Sequence, residues 1–182
     1  MYLLHPTRYV AAALLIIASL LLSACSGGDD PTTNQSGAVE LPDAIFLAEA
    51  PEGIQTIAAL KTSAKEGDKV VVRVAVGGTE KPIVEGRASA AIIDAHVDNP
   101  CLGDDDHCPT PWDYCCTPQE NRTANLATLQ ISDEAGKVLK AELTPRIEPL
   151  TMLVIKGTVG PRPDAQVLTI NATGIYIESD SE

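Results

Sequence analysis

The sequence predicts a small all-β domain, an antiparallel barrel or sandwich, preceded by one short N-terminal helix. Three observations carry that reading. From Lys69 onward, apolar residues recur at every second position in one run after another. Short turns rich in Gly, Pro and Asp separate the runs. None of the stretches between strands has the 3.6-residue period of a crossover helix, which a parallel α/β sheet would need.

The elements follow in order. Residues 53–64, GIQTIAALKTSA, place Ile54, Ile57, Ala58, Leu60 and Lys61 at helical spacing, and Lys65-Glu66-Gly67-Asp68 stops the helix with a turn. In KVVVRVAVGG, Val70, Val72, Val74 and Val76 share one face; Val71, Arg73 and Ala75 share the other. Residues 87–97, RASAAIIDAHV, are a second strand, whose apolar phase shifts at Ile92-Ile93 and so suggests a bulge or bend. ATLQIS alternates Ala127, Leu129 and Ile131 against Thr128 and Gln130. After the turn DEAGK, VLKAEL alternates again through Leu139, Ala141 and Leu143. TMLVIKGTV, 151–159, is a strand, and QVLTINATGIYIE, 166–178, is a long one. The phase of the long strand moves from Leu168, Ile170 and Ala172 to Ile175 and Ile177 across Gly174, as a corner in a coiled barrel strand requires. The total is five or six strands.

The succession GDKVVVRVAVGG, VEGRASAAIID and LVIKGTV…VLTINATGIYI resembles an OB-fold barrel over residues 68–178. Two features depart from that family. A long cysteine-bearing insertion, 98–123, separates strands two and three, and the family's helix between strands three and four is missing. A cysteine-free immunoglobulin-like β-sandwich is the rival architecture. An OB-like barrel raises the question of nucleic acid, but the charge argues against it. Nucleic-acid binding draws its affinity from lysine and arginine on phosphates. This chain has 13 basic and 25 acidic side chains, net −12. Stacking platforms are also few.

The N-terminus sets the compartment. Residues 1–8 carry Arg8 and no acid, and residues 9–22, YVAAALLIIASLLL, are apolar. This is the charged and apolar pairing of a signal peptide, too short for an ordinary spanning helix. LSAC, Leu22 to Cys25, resembles the lipobox of bacterial lipoproteins, which implies cleavage after residue 24 and a diacylglycerol on Cys25. Serine at position 26, where aspartate would retain such a protein at the inner membrane, favours the outer membrane. The expected organisation is a signal peptide at 1–24, then a lipid anchor and flexible tether at 25–44. One β-domain, 45–182, carries the insertion at 98–123. The tether sequence SGGDDPTTNQSG is too polar to order itself. CPTPWDYCC also resembles a phrase found in a group of bacterial lipoproteins without a known activity.

With Cys25 assigned to lipid, Cys101, Cys108, Cys115 and Cys116 remain. An even number outside the cytoplasm reads first as disulfides. Adjacent α-carbons sit about 3.8 Å apart, below the usual disulfide range of about 4.4–6.8 Å, so Cys115 and Cys116 pair with others. Two connectivities stay open: 101–115 with 108–116, or 101–116 with 108–115. The segment is rich in Asp and Pro and poor in apolar material, so staples make physical sense. The alternative is a copper or zinc site built from the four cysteines and His107. Its spacing, C-x₆-C-x₆-C-C, matches no common zinc pattern, and copper(I) tolerates soft ligands in other arrangements. A thiol redox role is the third reading, without the usual C-x-x-C. Trp112 and Tyr114 either pack the loop onto the domain or offer an exposed aromatic pair to a ligand.

No nucleophile elbow, phosphate-cradling loop or selected carboxylate pair marks an enzyme. His96, alone on strand two, reads as a satisfied edge histidine, and the Gly77-Gly78 pair lacks a following Gly-Lys-Ser. The expected function is a non-catalytic binding or structural module of the cell envelope, tied to membrane lipid through Cys25 and needing no cofactor. Its partner would be an envelope protein, a glycan or a small ligand.

Overall fold

The computed structural model describes residues 40–103 and 108–179. The signal-like segment, Cys25, Asp104, Asp105, Asp106 and His107 lie outside the described residues. Five strands, β1 (Lys69–Val76), β2 (Ser89–Asp94), β3 (Leu126–Gln130), β4 (Met152–Val159) and β5 (Thr169–Ile177), form a closed barrel in the order β1-β2-β3-β5-β4. Closure removes the sandwich alternative. Every neighbouring pair is antiparallel except β3 and β5, which run parallel.

The period-two runs place the core as the sequence expects. Val70, Val72, Val74 and Val76 point inward with Ile92, Leu129, Leu153, Ile155 and Ile170, all buried. Burying each such side chain is worth about 1.5–3 kcal/mol. Leu41, which the sequence assigns to the tether, already belongs to this core. The corner at Gly174 is a bulge: Lys156 pairs with Gly174 and Gly157 with Ala172, so Thr173 is the extra residue. A Cβ on Gly157 would sit 2.4 Å from the Asn171 carbonyl oxygen, which is why glycine occupies the tight side of the bend.

Several expectations change. The helix α1 is Ile57–Ser63, not 53–64. The Thr56 side chain caps it by accepting from the Ala59 N–H, and Gln55 ahead of it bridges to Val72. A 3-10 turn at Asp43–Ile45 precedes it, so α1 is not the first element. A second helix, α2 (Gln119–Asn125), lies at the end of the insertion. VLKAEL is not a strand. Val138 bridges to Ser132, the Leu139 N–H donates to the Ile131 carbonyl and the Leu139 carbonyl accepts from the Ala88 N–H, while Ala141 and Leu143 plug into the core.

The predicted bulge at Ile92-Ile93 is also absent, since the register with β1 and β3 runs unbroken through both residues. Two consecutive isoleucines are buried because both faces of β2 are covered. Ile92 points into the barrel. Ile93 points out, into a second cluster with Ala75, Val97 and Tyr114. Among the described residues, no helix is long and apolar enough to cross a membrane.

Candidate functional site

That second cluster holds the cysteine segment on the barrel wall. Tyr114 is 4% exposed, and burial pushes its phenol above the ordinary value, against a hydrogen bond from Asn99. It is therefore a packing anchor, which removes it as an exposed ligand contact. Trp112 is half-buried, and its indole N–H donates to the Glu80 carbonyl at 2.9 Å. The Trp112 carbonyl accepts from the Gly78 N–H at 2.8 Å. A Cβ on Gly77 would lie 2.5 Å from that carbonyl oxygen and 3.2 Å from the Tyr114 ring. Gly77-Gly78 is thus the seat of the loop, a role that local sequence reasoning had no means of finding.

Side chains lock the segment from within. Cys101 lies in a 3-10 turn, Pro100–Leu102, capped by Asn99, whose Oδ1 accepts from the Cys101 N–H at 3.2 Å. The Asn99 amide donates to the Pro111 carbonyl at 2.9 Å and so ties this turn to the next one, Pro111–Asp113. Thr117 Oγ1 donates to the Asp98 carbonyl. Arg122 of α2 donates to the Tyr114 carbonyl at 3.0 Å. The described part of the insertion is therefore held by packing and hydrogen bonds, and the argument that it needs staples to be ordered loses its force.

Tyr114 has φ 56° and ψ 35°, the left-handed conformation. This ends the 3-10 turn, and the Thr117 N–H closes a turn on the Tyr114 carbonyl at 3.0 Å. In that tight turn Cys115 and Cys116 do not splay to opposite sides as they would in a strand. Cys115 Sγ lies 3.4 Å from Cys101 Sγ, 3.3 Å from Cys108 Sγ and 3.7 Å from Cys116 Sγ. Cys101 is also hydrogen-bonded to Cys116. A disulfide is about 2.05 Å long, so these are contacts, and the expected staples are not formed in this structure. Instead, the other three sulfurs gather around Cys115.

A carboxylate joins them. Donor atoms of Cys101, Cys108, Asp113 and Cys115 all lie within 4.8 Å of one another. Asp113 Oδ1 accepts from the Cys115 N–H at 2.7 Å, and Oδ2 accepts from Thr110 Oγ1 at 2.9 Å. Burial raises the Asp113 carboxyl, but those bonds and the Arg122 charge outweigh it and hold it below its ordinary value. The sequence reading missed Asp113; its signal was its position two residues before a cysteine.

The electrostatics of the cluster are lopsided. Burial pushes the Cys101 thiol up, yet hydrogen bonds from Cys116, Cys115 and Cys108 bring it below its ordinary value. Cys115 is held far above its own by hydrogen bonds to Cys108, Cys101 and Cys116. One negative charge can settle on Cys101, and the protons of its neighbours solvate it. Further ionisation places thiolates within about 3.5 Å of each other, which strongly disfavours the charged form unless a cation intervenes.

Outside this cluster, His96 Nδ1 lies 2.6 Å from the buried Asp94 carboxylate, which also accepts from the Ile57 N–H at 2.7 Å. That carboxylate fastens the start of α1 to the end of β2, and His96 is satisfied there as expected. Compared with protein-family models, curated proteins and solved structures, the chain matches none.

Proposed function

We propose that this protein is a lipid-anchored envelope protein whose OB-like barrel presents a four-thiolate site for a soft d¹⁰ ion, copper(I) or zinc. The observation that carries the reading is the gathering of Cys101, Cys108 and Cys116 around Cys115 at sulfur–sulfur contacts of 3.3–3.7 Å. Tetrahedral zinc with Zn–S bonds of about 2.3 Å spaces its sulfurs by about 3.75 Å. The three contacts that Cys115 makes lie at or just below that spacing. Sulfur donors favour copper(I) and zinc over hard ions. The protein does no covalent chemistry in this reading.

The closed five-stranded barrel, returning from β4 to β1 with β3 and β5 parallel, supports the OB-like reading. The lipobox-like LSAC supports anchoring through Cys25 on the exported side, with the outer membrane favoured by Ser26. Sulfurs already in contact also support a second reading, an oxidised loop with two disulfides, because pairing would need little movement.

Thiol state and metal content separate the two. The protein is purified from the cell envelope under nitrogen, alkylated in denaturant with and without reductant, and weighed, with zinc and copper measured beside it. Four alkylatable thiols and about one equivalent of metal are expected. No alkylatable thiols and no metal would replace this reading with the stapled loop.

A further inference from the structure

We propose that the cluster is an exchange site, which hands its ion to an incoming thiolate across the Cys115–Cys116 edge while Cys101 stays bound. This rests on the metal-site reading and adds a direction and a partner chemistry to it.

The four sulfurs are not equivalent. Cys101 is 5% exposed, Cys108 is half-buried, and Cys115 and Cys116 are exposed. The Cys115–Cys116 side of the cluster faces solvent. The opposite side is fixed, since the Cys101 turn is capped by Asn99 and tied through it to the Pro111 carbonyl. The exposed pair lies in a turn anchored by Tyr114 and Asp113. An incoming ligand therefore meets two accessible sulfurs on a scaffold that does not need to unfold.

The step is a ligand exchange. A bond forms between the ion and the acceptor's sulfur, and the bond from the ion to the Cys115 or Cys116 sulfur breaks. An acceptor that arrives as a thiol passes its proton to the departing cysteine, and one that arrives as a thiolate leaves the departing cysteine as the thiolate. The oxidation state of the ion is unchanged, so no oxidant or reductant is required. Transfer is complete when the second sulfur of the edge, then Cys108 and Cys101, are displaced in the same way. The acceptor is a thiolate donor, either a small thiol or a cysteine pair on a protein.

The test uses the full chain, reduced and loaded with one equivalent of Cd²⁺, whose thiolate charge-transfer band reports the site. Glutathione stands for the small thiol, and a two-cysteine peptide for the protein source. Decay of the band is followed against acceptor concentration. A pulse of alkylating reagent part-way through decay maps which cysteines have been uncovered. Expected are a rate proportional to acceptor concentration, and labelling at Cys115 and Cys116 before Cys101. The acceptor with the larger rate constant identifies the source. A rate independent of acceptor concentration, or labelling first at Cys101, would overturn the exchange proposal and leave a metal site in place. If adding Cd²⁺ produces no charge-transfer band, the metal reading itself fails, and the exchange proposal with it.

Discussion

At the scale of single residues, Gly77 and Tyr114 decide whether the cysteine loop sits on the barrel. A methyl group at position 77 would meet a backbone carbonyl at 2.5 Å, and neither partner can turn aside. Gly77→Ala should therefore cost about 1–3 kcal/mol by overpacking, read as a lower denaturation midpoint in urea. An unchanged midpoint would mean that the loop is not seated there. Tyr114→Ala empties the second cluster and should cost about 2–4 kcal/mol. A charged pair gives a pH-dependent effect. Arg73 makes two hydrogen bonds to Glu178, at 2.8 and 2.7 Å, which hold the Glu178 carboxyl below its ordinary value against the opposing effect of burial. A depressed carboxyl stabilises the fold above its unfolded pKa, about 4.3, and that stability disappears as pH falls through the lower folded value. Both side chains are partly exposed, so solvent screening limits the coupling to about 0.5–1 kcal/mol. A double-mutant cycle of Arg73→Met and Glu178→Gln should show it at pH 7 and lose it in acid. A coupling that persists below the folded pKa would contradict this assignment.

At the scale of elements, α1 shows why the sequence could locate a helix and still miss what holds it. The helical spacing and the Thr56 cap are local, and both are legible in a dozen residues. The two ends are satisfied from far away. Asp94 receives the Ile57 N–H from 37 residues on. Arg162, about 100 residues on, donates to the carbonyls of Leu60, Lys61 and Ala64, and also to those of Ala165 and Val167. A cationic fork on the final carbonyls of a helix satisfies orphan acceptors and complements the dipole. Arg162→Ala should cost about 2–3 kcal/mol and raise hydrogen exchange at the end of α1 before it does so in β1. Arg162→Lys should recover only part, because a point charge cannot reach all five carbonyls. Equal protection in the wild type and Arg162→Ala would remove the capping role. The same limit on local reading explains β2. Its double isoleucine looked like a bulge because alternation assumes one wet face, and the covering element arrives twenty residues later. The convergence of Cys115 and Cys116 was hidden for a related reason. It depends on the left-handed Tyr114, and no spacing rule encodes that conformation for a tyrosine.

At the scale of the whole molecule, the barrel and the cysteine loop are separable in energy. The main core draws on every strand, on α1 and on the segment around Leu143, and among the described residues none of its members comes from 98–123. The loop touches the barrel through the smaller cluster around Tyr114. Replacing all four cysteines with serine should therefore leave the far-ultraviolet circular dichroism of the barrel unchanged. In the absence of metal it should move the midpoint of unfolding only slightly. The wild-type protein should respond differently to added metal, because the four sulfurs meet only in the folded state. An ion that binds the native form alone stabilises it by about 2.7 kcal/mol at a hundred times its dissociation constant. Thermal unfolding of the reduced wild type should thus shift upward with zinc or copper(I), while the serine variant stays where it was. If the serine variant fails to fold without any metal present, the loop belongs to the core and the separation is wrong. If both proteins shift alike, the ion is binding elsewhere, on the many surface carboxylates of a chain with 25 acidic residues, and the cluster is not its site.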